Sequence, residues 1–226
     1  MAKLGAEHEN LDYKAYQIIK DMIIDRKLLP GKKISQEKLA EDLGISRTPL
    51  VNALKYLEHE KLLEAVPRRG YFVRLFTQQE MIYIFELREL LEGLAARRAC
   101  YEITDTQIRK LNGFFRRFEG STEIRDYKQY AQEDRQFHNF VVEVGGKEFL
   151  KSILQTYNII AFSYQIDSSE GLVRPPSETI GEHLAVIRAI SERDSTKAEK
   201  LIRLHLRKSL AVLKRDFERG NKRGGE

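Results

Sequence analysis

Residues 37–50 constrain the fold more than any other part of the chain. They read Glu-Lys-Leu-Ala-Glu-Asp-Leu-Gly-Ile-Ser-Arg-Thr-Pro-Leu, a pattern that predicts two short helices joined by a tight turn. Gly44 permits the left-handed conformation that ends the first helix. Ser46 is the expected N-cap of the second helix. Pro49 falls in its first turn, where a backbone N–H would have no intrahelical partner.

These two helices are the second and third of four predicted elements, which are three helices and a hairpin. A helical segment precedes them and ends at Pro30-Gly31, and Ser35 is expected to cap the helix that runs to about residue 43. Residues 62–66 and 70–74 read as two short strands, with turn residues between them. Three helices followed by a hairpin predict a winged helix-turn-helix domain over residues 1–76.

The second part of the chain has a different character, because its periodicity is helical nearly throughout and β-branched runs are rare. The breaks between periodic segments fall at glycine, proline and charged turn residues. An all-α bundle is therefore predicted over residues 77–226, with a frayed basic tail, and the fold class is mainly α. Helices are expected at about 78–101, 105–119, 123–144, 147–169, 176–192 and 194–218.

Composition limits the partners and the cellular compartment that are expected for the protein. Lys and Arg number 39 against 34 Asp and Glu, so the net charge of +5 permits a polyanionic partner without requiring one. Cys100 is the only cysteine, which excludes an intrachain disulfide and favours a reducing cytoplasm. The chain has no signal-peptide pattern and no run of about 20 apolar residues. A cytoplasmic protein without a membrane segment is expected.

The start of the second short helix carries residues suited to DNA. Ser46, Arg47 and Thr48 lie where backbone N–H groups and the helix dipole favour a phosphate. Arg47 can also bind guanine with two hydrogen bonds, and Asn52 on the same helix can read adenine. The alternative is a compact helical hairpin with a solvated arginine, but the turn, the cap and the basic hairpin together favour DNA binding.

The predicted hairpin supplies the second group of candidate DNA contacts. Arg68 and Arg69 form its tip, and Gly70 keeps that tip slim enough to lie beside the minor groove or the backbone. Ser35 is a further candidate contact. The expected partner is therefore a double-stranded DNA operator.

Four residues of the helical domain could form a metal site. Asp134 and His138 are four residues apart and project from one helix face. His183 and His205 lie on successive helices whose short link makes them antiparallel neighbours. One aspartate and three histidines suit Zn²⁺, Ni²⁺, Mn²⁺ or Fe²⁺ rather than Ca²⁺. Each histidine could instead be an ordinary core or surface residue, and the spacing does not decide between these alternatives.

The first domain resembles the DNA-binding domain of the GntR family of bacterial regulators. The resemblance extends over residues 29–74 and is carried by 30–35, 39–49, 53–54, 57–58 and 69–73. Val51 stands where the family usually has arginine, and Asn52 where it usually has glutamate. The resemblance thus implies DNA binding with an altered operator sequence.

Residues 77–216 resemble the FCD-type ligand-binding domain of the FadR subfamily within the GntR family. The similar stretches are 87–92, 134–138, 182–187 and 205–206. In metal-containing members an aspartate and three histidines at these places bind the ion, so the resemblance implies that role for Asp134, His138, His183 and His205. A departure is Lys147, where the family often has asparagine.

The same resemblance implies an organic-acid or sugar-acid effector bound beside the metal. Arg88 occupies the family's Leu-Arg position and could hold a carboxylate with two hydrogen bonds. It could equally form a salt bridge with Glu92, one helical turn away. Most aromatic residues of these helices are expected in the core, while Tyr157 and Tyr164 could lend hydroxyls to a pocket. The aromatic residues are Tyr83, Phe85, Phe137, Phe140, Tyr157, Phe162 and Tyr164.

Taken together, the sequence predicts a homodimeric transcriptional regulator whose operator affinity responds to a small carboxylate bound at a metal centre. One alternative is a metal sensor, in which the ion itself is the signal. Another is a metalloenzyme whose ion activates water. No motif places a general base for such a reaction, and a DNA-binding domain has no role in it, so the protein is not expected to be an enzyme.

Overall fold

The computed structural model describes residues 11–120, 124–163 and 172–223. The chain divides into two compact units, Met1–Leu75 and Phe76–Glu226. The first has three helices and a hairpin, and the second is helical. The predicted fold class, a winged helix-turn-helix followed by an all-α domain, is confirmed.

The first unit packs three helices against a two-stranded hairpin. Leu50, Leu54 and Leu57 of its third helix are fully buried because they recur on one helix face. The strands pair antiparallel, with Leu63 opposite Val73. The elements are α1 (Leu11–Ile24), α2 (Gln36–Leu43), α3 (Arg47–His59), β1 (Leu63–Val66) and β2 (Gly70–Val73).

The helix caps of α2 and α3 lie at the residues that the sequence predicts. The Ser35 hydroxyl accepts a hydrogen bond from the Lys38 amide, and Gly44 adopts a left-handed φ of 62°. Ser46 occupies the predicted N-cap position of α3, although its side chain forms no capping hydrogen bond. The reason is Pro49 at N3, which has no N–H to donate to the Ser46 hydroxyl.

The second unit is built around its first long helix. This helix, α4, contacts the two other long helices of the unit, and the last of these runs antiparallel to it. The elements are α4 (Gln78–Glu102), α5 (Asp105–Leu111), a 3₁₀ turn (Arg116–Phe118), α6 (Tyr127–Ser163), α7 (Pro176–Ser191) and α8 (Ser195–Arg223). No helix among the described residues is both long and apolar enough to cross a membrane.

One predicted helix is shorter than its periodicity indicated. The helix expected over 105–119 ends at Leu111, and Phe115 adopts a positive φ of 60°. That conformation buries the Phe115 ring completely and lets its backbone N–H donate to Glu133 Oε1 at 2.5 Å. Tertiary packing therefore overrides the local helical pattern here.

The predicted break near residues 145–146 is present as a kink. Helix α6 continues through it, but Lys147 has φ 46° and ψ −155°, outside the helical region. Its ammonium group lies 3.0 Å from Glu102 Oε1. The kink separates the part of α6 that carries Asp134 and His138 from its C-terminal part.

Gly145 permits the close approach of α6 to α4. A Cβ atom there would lie 1.9 Å from the carbonyl oxygen of Ala95 and 2.8 Å from the amide nitrogen of Ala99. We expect Gly145→Ala to lower the free energy of unfolding by about 3 kcal/mol, because backbone rather than a flexible side chain must move. Urea denaturation measures this. Gly181→Ala on α7 is the control, because its Cβ meets open space and alanine favours the helix. Equal stability of the two variants would contradict the expectation.

Candidate metal centre and nucleic-acid interface

Three histidines from three helices meet inside the second unit. His138 lies on α6, His183 on α7 and His205 on α8, and all three are buried. One ligand nitrogen from each lies within 4.8 Å of the other two. The ring centroids of His183 and His205 are 4.4 Å apart. The structure thus brings together the three histidines that the sequence singled out.

Asp134 lies beside this histidine cluster. It precedes His138 by one turn of α6, and its side chain is nearly buried. Its Oδ1 is 3.2 Å from Nε2 of His183 and 4.0 Å from Nε2 of His138. The fourth candidate ligand is therefore adjacent to the ring nitrogens that face the cluster.

Two of the histidines are oriented by carboxylates. Nδ1 of His138 lies 2.5 Å from Glu92 Oε2, and Nδ1 of His205 lies 2.8 Å from Glu182 Oε2. An ionised carboxylate only accepts hydrogen bonds, so we assign the ring proton to Nδ1 in both cases. Each neutral ring then keeps the lone pair on Nε2 for another partner.

The third histidine is oriented by a chain of hydroxyl groups. Nδ1 of His183 lies 3.0 Å from the Tyr130 hydroxyl, which lies 2.8 Å from Oγ1 of Thr179. That threonine donates to the Pro175 carbonyl oxygen, which can only accept. The Tyr130 hydroxyl therefore donates to Thr179 and accepts from His183, so we assign the ring proton of His183 to Nδ1. Its Nε2 forms no hydrogen bond with the residues that the structure describes, although Asp134 Oδ1 lies 3.2 Å away.

Burial keeps two of the three histidine rings, His183 and His205, in the neutral form that binds a metal. Burial, together with the repulsion that a protonated ring would meet from Arg174 and the neighbouring His205 and His138, lowers the pKa of His183 well below its usual range. Burial also lowers the pKa of His205, although Glu182 opposes this.

Glu92, the carboxylate that orients His138, stays ionised. Burial raises the pKa of Glu92, but Arg88 and His138 outweigh it and bring the value to about 2. The neutral rings of His183 and His205 can bind a divalent cation without first losing a proton.

Arg88 makes the salt bridge that the sequence allowed and also lines a cavity. Its Nε donates to Glu92 Oε1 at 2.7 Å, and both side chains are buried. The cavity beside it has a volume of about 30 Å³, and Asp134, His138 and His205 also line it. Such a volume accommodates roughly two waters, or one carboxylate group. The side chains of Tyr157 and Tyr164 lie outside the described residues.

Sequence reasoning missed three residues that hold this site. Tyr130 precedes Asp134 by one helical turn, and Glu182 immediately precedes His183, so helical spacing could have indicated the first. Arg174 had no sequence signal. Its guanidinium binds Glu182, donates to Ser209 Oγ at 3.2 Å, and reaches the His205 carbonyl oxygen at 3.2 Å.

The candidate DNA contacts on α3 lie at the surface. Ser46, Arg47 and Thr48 are all exposed at the N-terminus of the helix. The Arg47 side chain is 81% exposed, and its nearest acidic group is Glu37 at 4.0 Å. Because Ser46 forms no capping bond, its hydroxyl is available to an external acceptor. This helix end can therefore approach a phosphate or a base edge.

The hairpin tip presents the second group of cations. Arg68 and Arg69 are exposed, and Arg68 and Gly70 adopt positive φ values of 62° and 95°. The two arginines line an open cleft together with Ser35 and Lys33, at the N-terminus of α2. The wing residues and Ser35 thus share one surface of the unit.

Asn52 has a partner inside the unit. Its Nδ2 donates to Asp12 Oδ2 on α1 at 2.9 Å, and the side chain is half-buried. The amide would have to leave Asp12 to contact adenine, so base reading by Asn52 stays a prediction.

A winged helix-turn-helix with an exposed basic recognition helix, linked to a helical unit with a buried polar cluster, defines a DNA-binding transcriptional regulator. Comparison with known families agrees. The family of bacterial regulatory proteins called gntR matches residues 11–73, and the FCD domain matches residues 83–208. The chain belongs to the GntR family and carries an FCD domain.

The chain is similar to individual relatives over most of their length. The chain is 28% identical over 188 residues to the Nta operon transcriptional regulator of Aminobacter aminovorans, covering 83% of this chain and 87% of that protein. It is 22% identical to the transcriptional repressor RspR of Escherichia coli (strain K12), covering 87% and 86%. The solved structure of E. coli McbR/YncC has the same fold, with a TM-score of 0.77 at 19% identity, covering 92% of this chain and 98% of that one.

Proposed function

We propose that the protein is a sequence-specific regulator whose operator affinity is set by a small organic acid bound at a divalent metal centre. The observation that carries this proposal is the pair formed by His183 Nε2 and Asp134 Oδ1, 3.2 Å apart and nearly buried. By our proton assignment, a lone pair of the ring faces a carboxylate. Two such groups repel each other unless a cation lies between them.

The donor set fits a transition metal. His138, His183 and His205 offer imidazole nitrogens and Asp134 offers an oxygen, which suits Zn²⁺, Ni²⁺, Mn²⁺ or Fe²⁺. A metal held there would supply a Lewis acid that binds a carboxylate oxygen. Glu92, Glu182 and the Tyr130 hydroxyl would hold the rings in their binding orientation.

The effector would enter the cavity beside this centre. The Arg88 guanidinium lines that cavity and is suited to a carboxylate. One carboxylate connects it to the metal ligands, since Glu92 Oε1 accepts from Arg88 while Oε2 accepts from His138. An acid that bound Arg88 in place of Glu92 would therefore change how Glu92 orients His138. In a homodimer this difference would alter the placement of two recognition helices in successive major grooves, about 34 Å apart.

The second candidate function is a metal-responsive regulator, in which the ion alone is the signal. The observation that favours it is the orientation of the cluster, because all three histidines already have Nδ1 partners without an effector. The same residues serve both functions, so only a measurement separates them.

The test is operator affinity under four conditions: metal-free protein, protein with Zn²⁺, protein with acid, and protein with both. The operator is a duplex selected by the protein from a random library, and the acids are citrate, lactate and gluconate. We expect an acid to change the dissociation constant at least tenfold, and only when Zn²⁺ is present. A change with Zn²⁺ alone would identify a metal sensor, and no change in any condition would contradict both functions. Asp134→Asn is the control that should lose the response.

A further inference from the structure

The segment between α5 and the 3₁₀ turn contains a residue in a conformation that bulky side chains avoid. Phe115 has φ 60° and ψ 4°, in the left-handed region. Such a conformation persists only where the surrounding structure holds it, and residues of this kind cluster at functional sites. The ring of Phe115 is completely buried, so this backbone conformation places a large side chain at a defined point inside the second unit.

The Phe115 ring lies against the histidine that faces Asp134. It stacks on the His183 ring with a centroid distance of 4.6 Å and an angle of 6° between the two planes. It also contacts the Tyr130 ring at 5.3 Å, and the Tyr130 hydroxyl binds Nδ1 of His183. A parallel stack resists tilting of the imidazole, because a tilt would push ring atoms into Phe115. Phe115 therefore fixes the direction in which Nε2 of His183 points.

One buried carboxylate holds Phe115 in this conformation. Glu133, on α6, accepts a hydrogen bond through Oε1 from the Phe115 backbone N–H at 2.5 Å. Its Oε2 lies 3.2 Å from Nε of Arg117. Because the Glu133 side chain is only 10% exposed, water competes little for the bond to Phe115. The contact that fixes the ring beside His183 thus comes from the residue immediately before Asp134.

We propose that Glu133 and Phe115 are positioning residues for the metal centre, and that both act through His183. The inference rests on the metal centre of the proposed function and names residues that would set its affinity without touching the ion. Asp134 offers an oxygen to the cation, while Glu133 holds the aromatic ring behind His183. A ligating imidazole carries part of the cation's charge, and the face of an aromatic ring favours positive charge. Phe115 would therefore stabilise the ligating form of His183 as well as its orientation.

The affinity for Zn²⁺, measured by competition with a chromophoric chelator, tests the two residues separately. We expect Phe115→Leu and Glu133→Ala each to lower it roughly 10-fold, since losing an outer contact to a ligating histidine has an effect of this size. Leucine keeps the bulk and the backbone cost of Phe115 but lacks the flat ring. Glu133→Gln keeps an oxygen that can accept from the Phe115 N–H, so its affinity should stay within about twofold of the wild type. Arg117→Ala is the control that should also stay within about twofold, because the arginine side chain is 56% exposed.

A double-mutant cycle separates positioning from a general loss of stability. In His183→Gln protein, we expect Phe115→Leu and Glu133→Ala to cause no further loss of Zn²⁺ affinity, because the residue through which they act is gone. A weakened fold would lower the affinity in both backgrounds. The visible absorption of bound Co²⁺ reports the ligand geometry, and it should change in Phe115→Leu. It should not change in Phe114→Leu, which alters a neighbouring ring that packs on Phe140.

The outcomes distinguish this inference from the metal centre itself. Wild-type protein that does not bind Zn²⁺ would contradict the metal centre and this inference with it. If the wild type binds Zn²⁺ and folded Phe115→Leu and Glu133→Ala bind it equally well, the positioning role alone is overturned. Equal losses in the wild-type and His183→Gln backgrounds would also overturn it. Circular dichroism checks folding, and Phe115→Leu, the milder change, decides the outcome where Glu133→Ala does not fold.

Discussion

Replacing His183 by glutamine is expected to lower the affinity for Zn²⁺ roughly 100-fold or more. Structural zinc sites with four ligands bind with about 10–16 kcal/mol, so one ligand accounts for about 3 kcal/mol, or two powers of ten. His183 is the most constrained of the candidate ligands, because its ring stacks on Phe115 at 4.6 Å and its Nδ1 is held by Tyr130. Competition with a chromophoric chelator measures the change.

Two further variants make this result specific. His59→Gln removes an exposed histidine of α3 and should leave the Zn²⁺ affinity unchanged. Tyr130→Phe keeps the ligand but removes the hydroxyl that fixes its proton, so we expect a loss of roughly 10-fold. Circular dichroism checks that each variant is folded. Full retention of Zn²⁺ affinity by folded His183→Gln would contradict the metal centre.

The second large effect is expected from Arg47→Ala, which should weaken operator binding by about 1–3 kcal/mol, or roughly 5- to 150-fold. The side chain is 81% exposed at the N-terminus of α3, so it contributes little to the fold and its loss acts on DNA. Fluorescence anisotropy with operator duplex and random duplex measures the effect. Arg109→Ala on α5 removes the same charge from the other unit and is the matched control.

The salt dependence identifies what Arg47 contacts. Loss of a phosphate contact would weaken both duplexes equally and reduce the salt slope by about one. Loss of a base contact would weaken the operator alone. Operator affinity equal to that of the wild type at all salt concentrations would contradict the assignment of α3 as the recognition helix.

Local signals in the sequence predicted most of the first unit correctly. Gly44 ends α2 because only a residue without Cβ adopts its left-handed φ at no cost, and Ser35 caps α2 because its hydroxyl reaches the amide of Lys38. Ser46 is the N-cap of α3 as predicted, but its hydroxyl forms no capping hydrogen bond because the residue three positions later is Pro49. That signal was present in the sequence, since proline has no N–H to donate.

In the second unit, local signals predicted the helices but not all of their ends or buried faces. The helices were predicted from periodicity, but the end of α5 was not, because the buried Phe115 ring and its bond to Glu133 outweigh local helix propensity. Tyr83 was among the aromatic residues expected mostly in the core, and it is instead exposed on α4. A pattern repeated along one helix does not say which of two apolar faces lies inside.

The residue types of the candidate site, and the helices that carry them, were determined by the sequence alone, because helical spacing and family resemblance act along the chain. Only the tertiary structure decided that Glu92 joins Arg88 to His138, that Glu182 and Tyr130 orient the other rings, and that Arg174 closes the group. Those contacts join residues far apart in the chain, and their hydrogen bonds depend on how α4, α6, α7 and α8 pack. Packing of this kind is a property of the whole bundle and leaves no mark on any one segment.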